Sequence, residues 1–239
     1  MTTQGARVRH RKRHMPNFDE LRARMVEVDV AKRGMRNPSV LEALRRIPRE
    51  AFVDKAIMHM AYDDTPLPIG EGQTISQPYI VAVTADALRL EPDQRVLEVG
   101  TGSGYAAALL SLLSREVYTV ERVERLATTA RERLARLGYD NVHVLAADGT
   151  LGWQEHAPYD AIAVAAVGPH PPPALMHQLR IGGRLVMPVG PDGSQVLTRI
   201  TRTSKDEFRE EPIADVRFVP LIGAQGFDDA SGSARTRRH

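Results

Sequence analysis

An α/β fold with a mostly parallel central sheet, helices on both of its faces and a C-terminal antiparallel hairpin is predicted by three features of the sequence. First, short apolar segments alternate with helical segments from residue 79 onward, a pattern typical of βαβ crossovers. Second, the helical segments stop after Gly193, and two segments of alternating polarity follow, joined by a turn at residues 203–206. Third, 239 residues, of which 42% are hydrophobic, suffice for one domain with a substantial core.

A helical cap is expected before the sheet. Asn17 is a favourable N-cap, and Leu21, Met25 and Val28 recur at helical spacing until Gly34. These spacings predict a first helix that buries the three apolar side chains on one face.

A second helix and a long loop complete this N-terminal part. Asn37 and Pro38 begin the helix, and Pro48 ends it. Residues 61–78 mix Pro, Gly, Asp, Thr and Ser with few large apolar side chains. We therefore expect a loop without regular structure there, and a loop of that length in a compact domain is usually functional or disordered.

The remaining elements follow in alternation. Because the carboxyl ends of parallel strands meet at one edge of a sheet, the residues after each strand are the candidates for ligand binding. Helices are predicted at residues 80–90, 105–113, 123–137 and 173–179, and strands at residues 95–99, 116–121, 142–146, 160–167, 184–189, 196–201 and 214–218.

Basic residues are concentrated at the two ends of the chain. Residues 1–14 carry five Lys or Arg and residues 230–239 carry three, without an acid, so removing these eight charges from the net +2 leaves −6 for the rest. We predict a basic arm at 1–16, a single domain with its helical cap at 17–223 and a tail at 224–239. Basic arms can bind nucleic acid, but short terminal runs are more often solvated, so no nucleic-acid partner is expected.

Composition excludes several classes of protein. The chain has no cysteine, which rules out disulfides, thiolate metal sites and a cysteine nucleophile, and its eight histidines lack metal-ligand spacing, so no metal is expected. No apolar stretch follows the N-terminal charges, and prolines interrupt the uncharged run at 161–179. Neither a secretory signal nor a membrane span is predicted, and we expect a monomeric cytoplasmic protein.

The strongest local signal is VLEVGTGSGY at residues 96–105. An apolar strand leads into Gly100, Gly102 and Gly104, and a helix begins at once. Glycines at such a turn let a ligand approach the backbone, and the helix N-terminus offers unpaired amides. The spacing is GxGxG, unlike the dinucleotide pattern, and the carboxylate of Glu98 would repel a pyrophosphate. The motif therefore favours a methyl-donor site.

Acidic residues close the next two strands. Glu121 is placed to accept hydrogen bonds from ribose hydroxyls, and Asp148, followed by Gly149, to accept from an adenine amino group. No Lys or Arg occurs in residues 96–114 to neutralise a phosphate. Together these features predict a site for S-adenosylmethionine rather than for NAD or ATP.

Several strings of the sequence match one enzyme family. LPIGEGQTISQPYIVA at residues 67–82, RVLEVGTGSGY, DGTLGW, PYDAIAV, GGRLVMPVG and VRFVPL resemble the protein-L-isoaspartate O-methyltransferase family over residues 37–222. The resemblance implies a Rossmann-like class I S-adenosylmethionine-dependent methyltransferase fold. It also implies methylation of the α-carboxyl of L-isoaspartyl residues in damaged proteins, whose ester closes to a succinimide that reopens partly to normal aspartyl.

The matching motifs assign roles to individual residues. Ser76 falls on the family's active-site serine and would position the substrate carboxylate; its alternative role is to cap the helix that follows. Gln77 and Val219 would lie on the substrate side. The resemblance assigns the cofactor side to Thr74, Ile75, Glu98, Gly100, Thr101, Gly102, Ser103, Glu121, Arg122, Asp148 and Gly149.

One segment departs from the family pattern. Residues 165–173 read AAVGPHPPP where relatives often have TAAP, so a hydroxyl is missing at Ala165. This departure and the extra arms leave open a relative redirected to a normal aspartate in a dedicated peptide, giving an aspartimide. The basic arms leave open a second alternative, a nucleic-acid-binding protein that uses them. Since a carboxylate with a pKa of ~4 is already ionised at pH 7, no catalytic histidine is expected. Trp153 is expected to pack rather than to stack on a ligand.

Overall fold

The computed structural model describes residues 17–191 and 193–228; the predicted arm at 1–16 and residues 229–239 of the predicted tail lie outside this range. The described part contains helices α1 (Phe18–Arg24), α2 (Pro38–Arg46), α3 (Pro78–Leu88), α4 (Tyr105–Ser111), α5 (Glu124–Arg136) and α6 (Pro173–Gln178). Its strands are β1 (Leu67–Gly70), β2 (Gln73–Ile75), β3 (Arg95–Val99), β4 (Glu116–Glu121), β5 (Val142–Ala146), β6 (Tyr159–Val164), β7 (Leu179–Val189), β8 (Gln195–Arg202) and β9 (Phe208–Val216).

Seven strands form the central sheet, in the order β5-β4-β3-β6-β7-β8-β9. Strands β3 to β7 pair in parallel, and β8 and β9 add to the sheet antiparallel. Alternate residues of each strand face opposite sides, so Val96 packs with α3 and α4 in one hydrophobic cluster and Leu97 packs with α6 in the other. The predicted fold class is confirmed.

The first helix changes its periodicity partway along. Asn17 caps α1 as predicted, its side chain accepting a hydrogen bond from Glu20 N at 3.3 Å. A π-helix at Met25–Ala31 follows directly. Its i to i+5 hydrogen bonds place Val30, not Val28, on the face of Met25, and Val28 is accordingly 37% exposed while Val30 is buried. The prediction that Val28 is buried is therefore wrong.

The predicted loop at 61–78 contains regular structure, which corrects the expectation of an irregular segment. Strands β1 and β2 form a hairpin in which Leu67 pairs with Ile75, and both side chains are buried. The turn residues Glu71 and Gly72 have φ of 52° and 70°, the left-handed conformation that two-residue hairpin turns favour.

The C-terminal region also differs from its predicted bounds. Strand β9 begins at Phe208 rather than at residue 214. The prediction missed its first residues because most of them are charged, as is common on an edge strand. The sequence predicts a tail from residue 224, but Ala224 N donates to Asp148 Oδ2 at 2.8 Å and Phe227 N to Leu221 O at 2.7 Å. Residues 224–227 therefore belong to the domain.

No helix of the described residues is long and apolar enough to cross a membrane.

Candidate active site

A cavity of about 550 Å³ opens at the carboxyl edge of β3, β4 and β6. Four segments wall it: the glycine-rich turn after β3, the end of β4, the β1–β2 hairpin and residues 219–222. The lining residues include eleven of the predicted ones: Thr74, Ile75, Ser76, Gly100, Thr101, Gly102, Ser103, Glu121, Arg122, Gly149 and Val219.

Glycines shape the floor of this cavity. Gly100 and Gly102 have φ of 94° and 53°, which side chains rarely adopt. A Cβ at Gly149 would lie only 2.5 Å from Val99 Cγ1, and one at Gly102 would lie 3.1 Å from Ile69 Cδ1. The turn thus leaves backbone exposed to a ligand where any larger residue would strain or clash.

The Glu121 carboxylate is fixed at the end of β4. Its Oε2 accepts from Gly102 N and its Oε1 from Val123 N, both at 2.9 Å. A carboxylate can accept about four hydrogen bonds, so both oxygens keep capacity for hydroxyl donors. This geometry suits the ribose contact that the sequence predicts.

Glu98 lies beneath the glycine-rich turn and does not line the main cavity. Its Oε2 accepts from Thr119 Oγ1 at 2.6 Å, and the Thr119 and Thr101 hydroxyls are also 2.6 Å apart. Among the described residues its buried Oε1 has no hydrogen-bond partner. Glu98, Ser76 and Ala165 all line a second, small cavity of about 40 Å³. Complete burial raises the pKa of Glu98 to about 8, so the group is protonated at neutral pH.

Asp148 also lies outside the cavity lining, although its neighbour Gly149 belongs to it. Its Oδ1 accepts from Thr150 N and Oγ1 at 2.9 and 2.7 Å, and its Oδ2 accepts from Ala224 N at 2.8 Å. Burial opposes ionisation, but the hydrogen bonds from Ala224 and Thr150 outweigh it and lower the pKa of Asp148. The carboxylate therefore ties the 224–227 segment to the site, and its adenine contact stays a prediction.

The β1–β2 hairpin leads Ser76 to the cavity. Gln77, not Ser76, is the N-cap residue of α3. The Asp64 side chain caps the helix, because its Oδ1 accepts from Tyr79 N at 3.2 Å, so the alternative role of Ser76 as the N-cap is wrong. Gln77 itself turns away, its Nε2 donating to Asp64 O at 3.0 Å and to Asp64 Oδ2 at 2.6 Å. It braces the loop and is not among the lining residues.

The wall of the cavity that is predicted to face the substrate includes two segments that pair in parallel through Val167 and Pro220. Val167 N donates to Val219 O at 2.9 Å, and Leu221 N donates to Val167 O at 2.8 Å. Val219 and Ala165, the first residue of the segment that departs from the family pattern, both line the cavity. His170 of the same segment is exposed, so the departure reaches the cavity through Ala165 and Ala166.

Several lining residues were missed by the sequence prediction. The hairpin tip and the first turn of α4 approach the site only through tertiary folding; the missed residues there are Glu71, Gly72, Gln73 and Tyr105, together with Ile222. The lining contains no histidine, and no group of three His, Asp or Glu within the described residues could hold a metal ion. Trp153 packs edge-on against Tyr118, with ring centroids 5.6 Å apart, which confirms its packing role.

The fold and the cavity together define a class I S-adenosylmethionine-dependent methyltransferase. A family model described as Protein-L-isoaspartate(D-aspartate) O-methyltransferase matches residues 21–226. The chain belongs to this family, as its motifs predicted.

Curated relatives and solved structures agree with this assignment. The chain is 54% identical over 233 residues to Protein-L-isoaspartate O-methyltransferase 1 of Rhodopseudomonas palustris strain HaA2, covering 95% of each chain. It is 55% identical over 212 residues to Protein-L-isoaspartate O-methyltransferase 2 of Pelobacter propionicus, covering 88% of this chain and 94% of the relative.

Two solved structures share the fold over most of the chain. One, titled protein-L-isoaspartate O-methyltransferase, has a TM-score of 0.78 at 29% identity and covers 86% of this chain and 67% of its own. A putative enzyme of the same name from Plasmodium falciparum, in complex with S-adenosyl-L-homocysteine, has a TM-score of 0.73 at 26% identity, with coverages of 87% and 99%.

Proposed function

We propose that this chain methylates the α-carboxyl of L-isoaspartyl residues in damaged proteins and peptides, with S-adenosylmethionine as the methyl donor. The observation that carries the proposal is a single cavity that joins the glycine-rich turn and Glu121 to Ser76 and residues 219–222. The methyl ester would close spontaneously to a succinimide, which reopens partly to a normal aspartyl residue.

The residues of the cavity fit the methyl donor. The glycine cradle accepts a ligand against the backbone, and Glu121 offers acceptors for hydroxyls. Residues 96–114 contain no Lys or Arg that would bind a phosphate, and Arg122 is the one basic residue among the described lining residues. The bound cofactor would supply an electrophilic methyl group on a positively charged sulfur. An acidic and apolar pocket suits that charge better than it would suit a dinucleotide phosphate.

The chain's residues need only hold and orient the substrate. The substrate carboxyl has a pKa of about 4 and is ionised at pH 7, so the absence of histidine from the lining is compatible with the reaction. The Ser76 hydroxyl would donate a hydrogen bond to one carboxylate oxygen and leave the other free to attack in line. Alignment of this kind can account for several kcal/mol of the barrier.

The hairpin covers the site and limits its exposure to water. Ile75 is buried and belongs both to the hydrophobic core and to the cavity lining, so the hairpin is anchored rather than free. In such a site a carboxylate loses part of its hydration shell, which favours a reaction that removes its charge.

The proposal is tested by a methyl-transfer assay on an isoaspartyl peptide and its aspartyl twin. We expect turnover of the isoaspartyl peptide and little of its twin. The reverse preference would establish the redirected-aspartate alternative, and loss of both reactions would remove the proposed function. The names of the relatives give no support to that alternative or to nucleic-acid binding.

The cytoplasmic location, the monomeric state and the lack of a nucleic-acid partner are part of the same proposal. Between its basic ends the chain has a net charge of −6, which favours a protein partner over a polyanion such as a nucleic acid. Cell fractionation, light scattering of the purified chain and a mobility-shift assay with duplex DNA and RNA test the three statements separately.

A further inference from the structure

A fully buried arginine lies directly behind the candidate active-site serine. The Arg49 side chain is 0% exposed, and its Nη2 donates to Ser76 O at 2.9 Å. Its Nε donates to Ala61 O at 2.7 Å. The guanidinium therefore joins the N-terminal cap to the segment that carries Ser76.

Within the described residues, no carboxylate pairs with this guanidinium. Its other contact is the Tyr105 ring, whose centroid lies 4.6 Å from the guanidinium carbon, and Nη1 has no hydrogen-bond partner. The adjacent acid, Glu50, pairs instead with Arg22 at 3.4 Å. Burial lowers the pKa of Arg49, but an arginine stays protonated in proteins. The charge of Asp64 acts on Arg49 without forming an ion pair, and a buried cation without a directly paired anion is costly to the fold.

We infer that Arg49 is a positioning residue for the carboxylate substrate: it holds Ser76 in place and supplies the positive charge that the bound carboxylate meets. Both of its neighbours at the wall, Ser76 and Tyr105, line the cavity, so one layer of residues separates the guanidinium from the ligand. Attraction across such a layer is far stronger than in water. The inference rests on the proposed function and adds the residue that makes the enzyme prefer a carboxylate substrate.

A second arginine provides a matched control. Arg133 Nη1 donates to Ser103 O at 2.7 Å, and its guanidinium carbon lies 6.0 Å from the Phe52 ring centroid. Arg133 thus holds the cofactor turn in the way that Arg49 holds Ser76. Burial lowers its pKa as well.

The test measures steady-state constants for Arg49→Met, Arg49→Lys and Arg133→Met. In Arg49→Met we expect the KM for the isoaspartyl peptide to rise about tenfold or more, and the KM for S-adenosylmethionine to stay within about twofold. Because the carboxylate loses its charge in the reaction, the cation stabilises the bound substrate more than the transition state, so its removal should not lower kcat by more than about threefold. Arg49→Lys keeps the charge and should lose less, whereas Arg133→Met should raise the KM for S-adenosylmethionine.

Wild-type turnover of the isoaspartyl peptide tests the proposed function itself, so its failure is separate from failure of this inference. Equal KM values for the peptide in wild type and a folded Arg49→Met protein would overturn the inference, as would a larger change in the KM for S-adenosylmethionine. If Arg49→Met does not fold, the inference is tested on the wild-type protein with a competitor peptide. A competitor peptide with an α-carboxamide at the isoaspartyl position should inhibit at least about tenfold more weakly than its carboxylate parent, and equal inhibition would contradict the role.

Discussion

The buried carboxyl of Glu98 makes the stability of the protein depend on pH. Its pKa is raised from 4.5 to about 8 by burial, so between these values the folded chain holds a proton that the unfolded chain releases. The stabilisation is fully present below pH 4.5 and is lost as the pH rises through 8.

Glu98→Gln should remove this dependence, because the amide keeps the shape without a titrating group. Between pH 6 and pH 9, without cofactor, we expect the wild type to lose roughly 2 to 3 kcal/mol more stability than the variant. Urea unfolding of both proteins at the two pH values measures the difference. Parallel losses in the two proteins would show that Glu98 is not protonated in the fold.

Asp148 is a second carboxyl, and substitutions can separate its predicted contact with the cofactor from its contact with residues 224–227. Asp148→Ala should weaken S-adenosyl-L-homocysteine binding by roughly 1 to 3 kcal/mol if the carboxylate accepts from the adenine. Thr150→Val is the control, because Thr150 Oγ1 accepts from Gln225 N at 3.1 Å and donates to Asp148 Oδ1 at 2.7 Å. The variant therefore loosens the same segment but keeps the Asp148 carboxylate. Calorimetry on both variants compares the effects: equal losses would assign the effect to the segment, and unchanged affinity in Asp148→Ala would remove Asp148 from the site.

Site residues were predictable where their signal is local. Gly100, Gly102 and Glu121 follow strands whose apolar pattern is plain, and the structure places all three at the cavity. The placement of Gln77 was not predictable, because its partner, Asp64, is thirteen residues earlier and meets it only through the hairpin. Arg49 could not be found either, since nothing near it in the sequence indicates that an arginine is buried.

The β1–β2 hairpin is the element whose geometry most affects the site. Gly72 lines the cavity at a φ of 70°, and a Cβ there would meet no atom within 4 Å. The Cβ of Gly72→Val would thus meet no clash, and the variant would strain the backbone, which costs about 1 to 2 kcal/mol. The distorted turn should raise both KM values by roughly three- to tenfold.

Gly34→Val is the matched control for this prediction. Gly34 has a φ of 110°, a Cβ added to it would also meet no atom within 4 Å, and it lies outside the cavity lining. We expect a similar loss in urea stability for both variants, with altered KM values in Gly72→Val only. Unchanged kinetics in both would mean that the hairpin turn does not shape the site.

Elements were predictable where apolar periodicity is regular. Strands β3, β4 and β5 have the predicted bounds, because each is a short apolar run between turns. The π-helix at Met25–Ala31 breaks the 3.6-residue repeat without any proline or glycine to mark it, and the β1–β2 hairpin is too short to show alternation. Both depend on packing against the rest of the domain rather than on local preference.

At the scale of the whole molecule, the contacts of residues 224–227 place the end of the catalytic domain later than the sequence suggested. Ala174 N donates to Gln225 Oε1 at 2.9 Å, so this segment reaches α6 as well as Asp148. The terminal segments 1–16 and 229–239 contain the eight Lys and Arg residues counted above, and the described lining of the cavity lies within residues 71–222.

A chain reduced to residues 17–228 should therefore keep its turnover and its affinity for S-adenosyl-L-homocysteine within about twofold, since the lining and its supports are intact. A chain that ends at residue 223 should bind the same ligand at least about tenfold more weakly, because the hydrogen bonds to Asp148 and Thr150 are lost. Calorimetry and the peptide assay on both chains decide the boundary. Equal binding by the two would show that residues 224–228 do not support the site, whereas lost turnover in the 17–228 chain would assign a catalytic contribution to the basic arms.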